Sequence, residues 1–189
     1  MAQIFPELTA QHRVFIASQH LFFVGTAPSG AAGDVNLSPK GYDAFRILSS
    51  REVAYLDLTG SGNETSGHLA ENHRITVMFC AFEGSPLILR IYGTGEVVLP
   101  SSARWDELSP QFILRPGARQ IIVVGIREVQ TSCGFGVPLM DYRQDRDTLE
   151  RWAVQKGDTG LDDYWRTKNA STRNGLPTPL GESLLTGAE

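Results

Sequence analysis

The sequence predicts a mainly β chain with added helices: an antiparallel sheet curled toward a barrel, flanking helices, and a C-terminal helical appendage. Short β-branched and aromatic runs succeed one another across turn-length spacers, which is the spacing of a meander and not of βαβ crossovers. Gly93 and Gly95 fall inside the longest run, Leu87 to Leu99, where glycine marks a bulge or bend of the kind that curls a sheet. From Arg143 onward the apolar period becomes helical, with Leu149, Trp152 and Ala153 on one side and Leu161, Tyr164 and Trp165 following.

The elements follow in order. Thr9 is placed to cap a first helix running to about Ser18, with Leu8, Val14, Phe15 and Ile16 as its apolar face. His20 to Thr26 reads as a buried strand, and Pro28 to Asp34 as a hairpin loop into a second strand around Val35 to Ser38. A third strand, Phe45 to Leu48, turns at Ser49-Ser50-Arg51 into a fourth, Val53 to Leu58. Thr59-Gly60-Ser61-Gly62 breaks the pattern before a short helix from Glu64 to Asn72. Ile75 to Phe82 is strongly β in composition, and the Glu83-Gly84-Ser85 turn leads into the long strand. A short helix near Ala103 to Leu108 precedes the last strand, Gln120 to Gln130. Ser171 to Glu189 concentrates Gly, Pro, Ser and Thr with little periodicity, so a loose tail, or an arm ordered by a partner, is expected.

The chain has 189 residues, enough for one domain with a single substantial core or for one domain plus an appendage. With 41% hydrophobic and 20% charged residues it is not a disordered chain. A net charge of −4 provides no overall basic field for nucleic acid or an anionic membrane. The longest apolar stretches, such as Leu21 to Val24, are far short of a membrane span, and the N-terminus lacks the basic and apolar regions of a secretory signal. A cytoplasmic location is expected. Two widely separated cysteines, Cys80 and Cys133, fit reduced thiols. In such a compartment the N-x-[ST] matches at Asn36, Asn63 and Asn169 carry no glycan.

Three local features bear on chemistry. Thr59-Gly60-Ser61-Gly62-Asn63-Glu64-Thr65 lies between strand and helix, so converging backbone N–H groups, the hydroxyls of Thr59, Ser61 and Thr65, and the helix N-terminus suit an anion such as phosphate. The alternative is a flexible turn in which Ser61 or Asn63 only caps the helix. The near match to G-x-G-x-x-G puts Thr65 where the third glycine belongs, and the β meander lacks the repeated βαβ units that a dinucleotide fold requires. Asn36-Leu37-Ser38-Pro39-Lys40-Gly41 offers extended backbone for a planar heterocycle and an ammonium, expected to be free, for a phosphate or ring carbonyl. It also reads as a plain turn. In Cys133-Gly134-Phe135-Gly136, small residues around an aromatic ring allow close approach to a flat ligand or form a turn with one core aromatic. The histidines His12, His20, His68 and His73 show no metal-ligand spacing, and no G-x-S-x-G elbow or G-x-x-x-x-G-K-[ST] loop occurs. No side chain stands out as acid or base, so any chemistry requires a cofactor.

The order of His20 to Thr26, Val35 to Gly41, Val53 to Thr59 and Leu69 to Val77 resembles the pyridoxamine 5'-phosphate oxidase-like, FMN-binding split-barrel family over roughly residues 10 to 140. The resemblance implies an antiparallel split β-barrel and a homodimer with FMN at its interface. On this basis Asn36, Leu37 and Ser38 border the isoalloxazine, Lys40 approaches flavin or substrate, and Thr59, Ser61, Asn63 and Thr65 surround the phosphate. Arg90 faces the flavin, and Cys133, Gly134 and Phe135 approach it from the second subunit. The chain then divides into an FMN-binding barrel at 1–142, a helical appendage at 143–170 and a tail at 171–189. The family often has an Arg-Lys pair where this chain has Glu64-Thr65, so Lys40, Arg74 or Arg90 must supply the compensating cation. The ending Leu184 to Glu189 also lacks the Arg- and His-bearing terminus that holds vitamin B6 phosphate in the true oxidases. The implied function is an FMN-dependent oxidoreductase with a small-molecule substrate. The alternative is a non-catalytic module carrying heme, deazaflavin or FMN.

Overall fold

A computed structural model describes residues 2–30 and 33–186. The expected loop residues Ala31 and Ala32 and the tail residues Gly187 to Glu189 lie outside the described residues. Among these residues one curled antiparallel sheet carries eight strands: β1 (Gln3–Phe5), β2 (Phe22–Thr26), β3 (Asn36–Lys40), β4 (Phe45–Ile47), β5 (Glu52–Leu58), β6 (Arg74–Cys80), β7 (Ile88–Val98) and β8 (Ala118–Ser132). Seven run in the order β3-β2-β6-β7-β8-β5-β4, and β1 pairs with β8 beside that path. This half-barrel with its helices is the split barrel that the resemblance implies.

Alternation sorts the side chains into two cores. On β5 and β8, Val53, Tyr55, Ile122 and Val124 face inward to join Phe22, Val24, Val77, Phe79, Leu89 and Ile91. Ala54, Leu56, Ile121 and Val123 face outward against Leu108 and Phe112 of the α3 (Ala103–Leu108) region. Both faces of β5 and β8 are therefore covered, which explains their continuous apolar composition. Gly93 sits at a register shift where Tyr92 pairs Glu128 and Gly93 pairs Ile126. A Cβ on Gly93 would lie 2.3 Å from the Gly125 carbonyl oxygen, so the expected bulge is also a point of close backbone approach.

Helix α1 (Ala10–Ala17) starts on a capping box in which Thr9 accepts from His12 N and His12 Nδ1 accepts from Thr9 N. Its buried face is His12 and Ile16, whereas Val14, expected inside, is 73% exposed. Helix α2 (Glu64–Asn72) closes one end of the barrel through Leu69, which lies over Gly95.

The C-terminal part differs most from expectation. Helix α4 (Thr148–Tyr164) begins five residues later than the apolar period suggests and breaks at Gly157. A π-helical turn, Trp165–Asn169, follows. Residues 171–186, expected to be loose, are docked: Ser171 bridges Pro177, and α5 (Pro179–Thr186) buries Leu180 and Gly181. Thr172 and Thr178 are buried as well, with the Thr172 methyl against Gly67 of α2.

Candidate functional site

On three strands the inward face changes from apolar to polar at the same end of the barrel. Phe22, Val24 and Thr26 line up on β2, Val53, Tyr55 and Asp57 on β5, and Val124, Ile122 and Gln120 on β8. The N-terminus of α2 sits over this end, and His68 Nδ1 lies 3.0 Å from Thr26 Oγ1.

Asp57 is the centre of the polar group. Its carboxylate is buried, with Lys40 Nζ 2.6 Å from Oδ1 and Arg119 Nε 2.9 Å from Oδ2. Gln120 Nε2 also donates to Oδ2 at 2.8 Å. Adjacent residues on a regular strand point to opposite faces, yet Arg119 and Gln120 both reach Asp57. The register explains this: Asp57 pairs Gln120 and Leu58 pairs Ala118, so Arg119 is the extra residue of a β-bulge. The bulge turns its guanidinium inward, where Nη1 donates to Gly62 O (3.0 Å) and Asn169 Oδ1 (2.7 Å).

Beside this cluster opens a cavity of about 510 Å³, lined by Asp34 to Ser38, Lys40, Asp57, Ser61, Gly62, Glu64, Thr65, Arg119, Arg173 and Asn174. Its size is that of a small-molecule or cofactor site. One wall is β3, an edge strand whose outer backbone groups have no neighbouring strand among the described residues. On this wall Asn36 Nδ2 donates to Thr65 Oγ1 (3.1 Å) and Ser38 Oγ donates to Asn36 Oδ1 (3.1 Å). The opposite wall is the start of α2 with the exposed Ser61.

The structure thus gathers six of the sequence-predicted residues, Asn36, Leu37, Ser38, Lys40, Ser61 and Thr65, around one cavity. Lys40 was expected free and is instead bound to Asp57, because a buried carboxylate requires partners. Thr59 and Asn63 are just behind the cavity wall and committed inward. Thr59 Oγ1 donates to Gly117 O and accepts from Trp165 Nε1, both at 2.8 Å. Asn63 donates to Asn169 O and accepts from Gln120 Nε2, and its side chain does not cap α2. Arg90, Cys133, Gly134 and Phe135 do not line this cavity: Arg90 Nη1 donates to Ser132 Oγ on the β7–β8 sheet, and Phe135 is 82% exposed.

Of the cations considered for the anion, Arg74 turns away to Pro28 O and Asn72, and the additional cations on the cavity wall are Arg119 and Arg173. No local motif marks Arg119. The available signal was Asp57 within an otherwise apolar strand, which needs a counter-cation from a neighbouring strand. Glu64 lines the cavity with one oxygen held by Arg173 N at 2.7 Å. No helix among the described residues is long and apolar enough to cross a membrane, and no group of three His, Cys, Asp or Glu among them could hold a metal ion.

The known proteins that this chain resembles agree with that architecture. A curated protein of Aspergillus flavus, the pyridoxamine 5'-phosphate oxidase family protein ustO, is 37% identical over 196 residues, covering 94% of this chain and 78% of that protein. Among solved structures, HupZ from Group A Streptococcus superposes with a TM-score of 0.50 at 20% identity, covering 65% of this chain and 91% of HupZ. A proposed pyridoxamine 5'-phosphate oxidase from Lactobacillus delbrueckii gives a TM-score of 0.51 at 15% identity, over 66% of this chain and 94% of that one. At these identities the two structures speak for the fold alone. The family model for pyridoxamine 5'-phosphate oxidase matches residues 8–133, from the residue before the Thr9 cap to the residue after β8, and with it the chain belongs to the pyridoxamine 5'-phosphate oxidase family.

Proposed function

We propose that the chain is an FMN-binding flavoprotein and an oxidoreductase, with the phosphate at the start of α2 and the ring system along β3. The observation that carries this reading is one cavity that combines an edge strand with a hydroxyl-bearing helix start and the Arg119 guanidinium. The backbone of Leu37 and Ser38 suits the hydrogen-bonding edge of a flat heterocycle. Ser61 and Thr65 supply hydroxyls, α2 supplies N–H groups, and Arg119 bonds Asp57, Gly62 and Asn169 through Nε and Nη1, which leaves Nη2, with no partner among the described residues, for a ligand. Asp57, below the usual carboxylate range, and its two cations form a closed ionic set, not a proton relay. Bound FMN would supply the redox chemistry, and the protein binds and orients it.

The same reading makes the working form a homodimer. Residues 133–147 leave β8 without regular structure and expose Phe135, Leu139 and Met140. The arm is fixed at its middle, where Met140 N donates to Phe82 O and Tyr142 stacks on His20 at 3.7 Å. An anchored arm presenting apolar side chains suits a second copy of the chain, and brings Cys133, Gly134 and Phe135 toward the cavity of that copy. The carrier alternative holds heme, deazaflavin or FMN; among the described residues of one copy no His, Cys, Met or Tyr lines the cavity, so a heme iron would need its ligand from the second copy.

The visible spectrum of the purified protein, followed by titration with FMN and riboflavin, tests the assignment. Arg119→Gln removes a charge-assisted bond and should weaken FMN by about ten- to a hundred-fold, with riboflavin little changed. A Soret band, or equal loss for both ligands, would overturn it. Reduction of the bound flavin by NADH or NADPH followed by reoxidation separates an oxidoreductase from a carrier.

A further inference from the structure

The cavity wall is completed by a segment beyond the part of the chain that the family model matches. Arg173 and Asn174 line the cavity, and four residues earlier Asn169 is fully buried behind it. Both polar ends of the Asn169 side chain act on the site and not on its own segment. Oδ1 accepts from Arg119 Nη1 at 2.7 Å, and Nδ2 donates to Gly60 O at 3.1 Å. Its backbone carbonyl accepts from Asn63 Nδ2 and from Thr178 Oγ1. The same segment holds the Glu64 carboxylate, which a phosphate would otherwise meet unrestrained, on Arg173 N.

Charge count sharpens the point. The lining holds Lys40, Arg119 and Arg173 against Asp34, Asp57 and Glu64, so the cavity has no formal excess of positive charge. A phosphate is then recognised by where donors point, and the group that aims them matters as much as the donors.

We propose that Asn169 is a positioning residue of the anion site, holding the Arg119 guanidinium and the loop at Gly60 in the arrangement that receives a phosphate, so that the segment after the barrel takes part in ligand recognition. This rests on the reading of the cavity as the site of a phosphorylated flavin.

The test uses the full chain and titrations with FMN and riboflavin. Asn169→Ala should weaken FMN about ten-fold or more while leaving riboflavin within about two-fold, because only the phosphate depends on Arg119 being aimed. In an Arg119→Gln background the same substitution should add little to the FMN loss. Equal weakening of both ligands, or full additivity with Arg119→Gln, overturns the proposal and leaves the flavin reading standing. If Asn169→Ala is not recovered folded, Thr178→Val decides in its place, removing the 2.8 Å bond to the Asn169 carbonyl while keeping the side-chain shape. A lowered FMN preference over riboflavin then supports the proposal, and an unchanged one overturns it. Should the wild-type chain bind no flavin, the flavin reading fails and inorganic phosphate decides this one. Protection of the thermal midpoint that Asn169→Ala, or Thr178→Val in its place, abolishes supports the proposal. Protection equal in both, or absent from the wild type, overturns it.

Discussion

Burial alone would raise the Asp57 carboxyl, but Arg119, Lys40 and Gln120 outweigh it and hold the group well below the usual carboxylate range. A carboxyl depressed on folding gives its full stabilisation above the unfolded value, ~3.9, and loses it as pH falls toward the folded one. His68 titrates in a different window. Burial lowers its pKa against the opposing pull of Glu64 and Glu71, so its contribution is complete above ~6.5 and lost as pH falls from there. The thermal midpoint should therefore decline in two steps, the first beginning near pH ~6.5 and the second below about pH 4. Burial lowers the His12 pKa in the same direction, so His68→Gln should reduce the first step without abolishing it, and an unaltered slope would sink the assignment to His68. Asp57→Asn should flatten the second and lower stability at neutral pH by about 3–5 kcal/mol, since it leaves buried cations without their partner. Thermal melts from pH 8 to pH 3 measure both.

At the scale of elements, the β-bulges decide the geometry. At Gly93 the bulge brings the β7 backbone against Gly125, so Gly93→Ala should cost about 1–3 kcal/mol through a displaced strand. Gly136→Ala, where a Cβ meets nothing within 4 Å among the described residues, should be nearly neutral. Equal effects in denaturant titrations would show that Gly93 is not a contact point. The central strands were legible because both of their faces are buried and local composition alone reports them. The bulge at Gly93 was legible because glycine itself marks it. The bulge at Arg119 was not, because it exists only in the pairing of β8 with β5, which no local window contains. Strand β1 is three residues long, with Gln3 and Ile4 exposed, too short for a period to show. Helix α5 was hidden for another reason: its Gly- and Ser-containing stretch has weak propensity of its own and is held by packing on the π-helical turn and on α2. Of the site, the loop chemistry of Asn36 to Lys40 and Ser61 to Thr65 could be read locally, whereas Arg119 and Asn169 depend on contacts across the fold.

For the whole molecule, the anchored apolar arm predicts the state of assembly. Phe135→Asp places a charge on an exposed ring position without touching either core, so the monomer should stay folded while the dimer weakens. Light scattering at micromolar concentration reads this, and a wild-type chain that is monomeric with and without FMN would remove the dimer from the proposal. The pairing of β1 with β8 and the docking of Asn169 on the loop at Gly60 also set a timetable. On the ribosome Gln3 has no partner until Thr131 has been made, so the first strand waits unpaired while the strands between them are synthesised. The loop at Gly60 waits longer still, for Asn169. A nascent chain halted between those two points would have its sheet complete while the cavity wall at Gly60 is still unset, so ligand capture there follows the synthesis of Asn169.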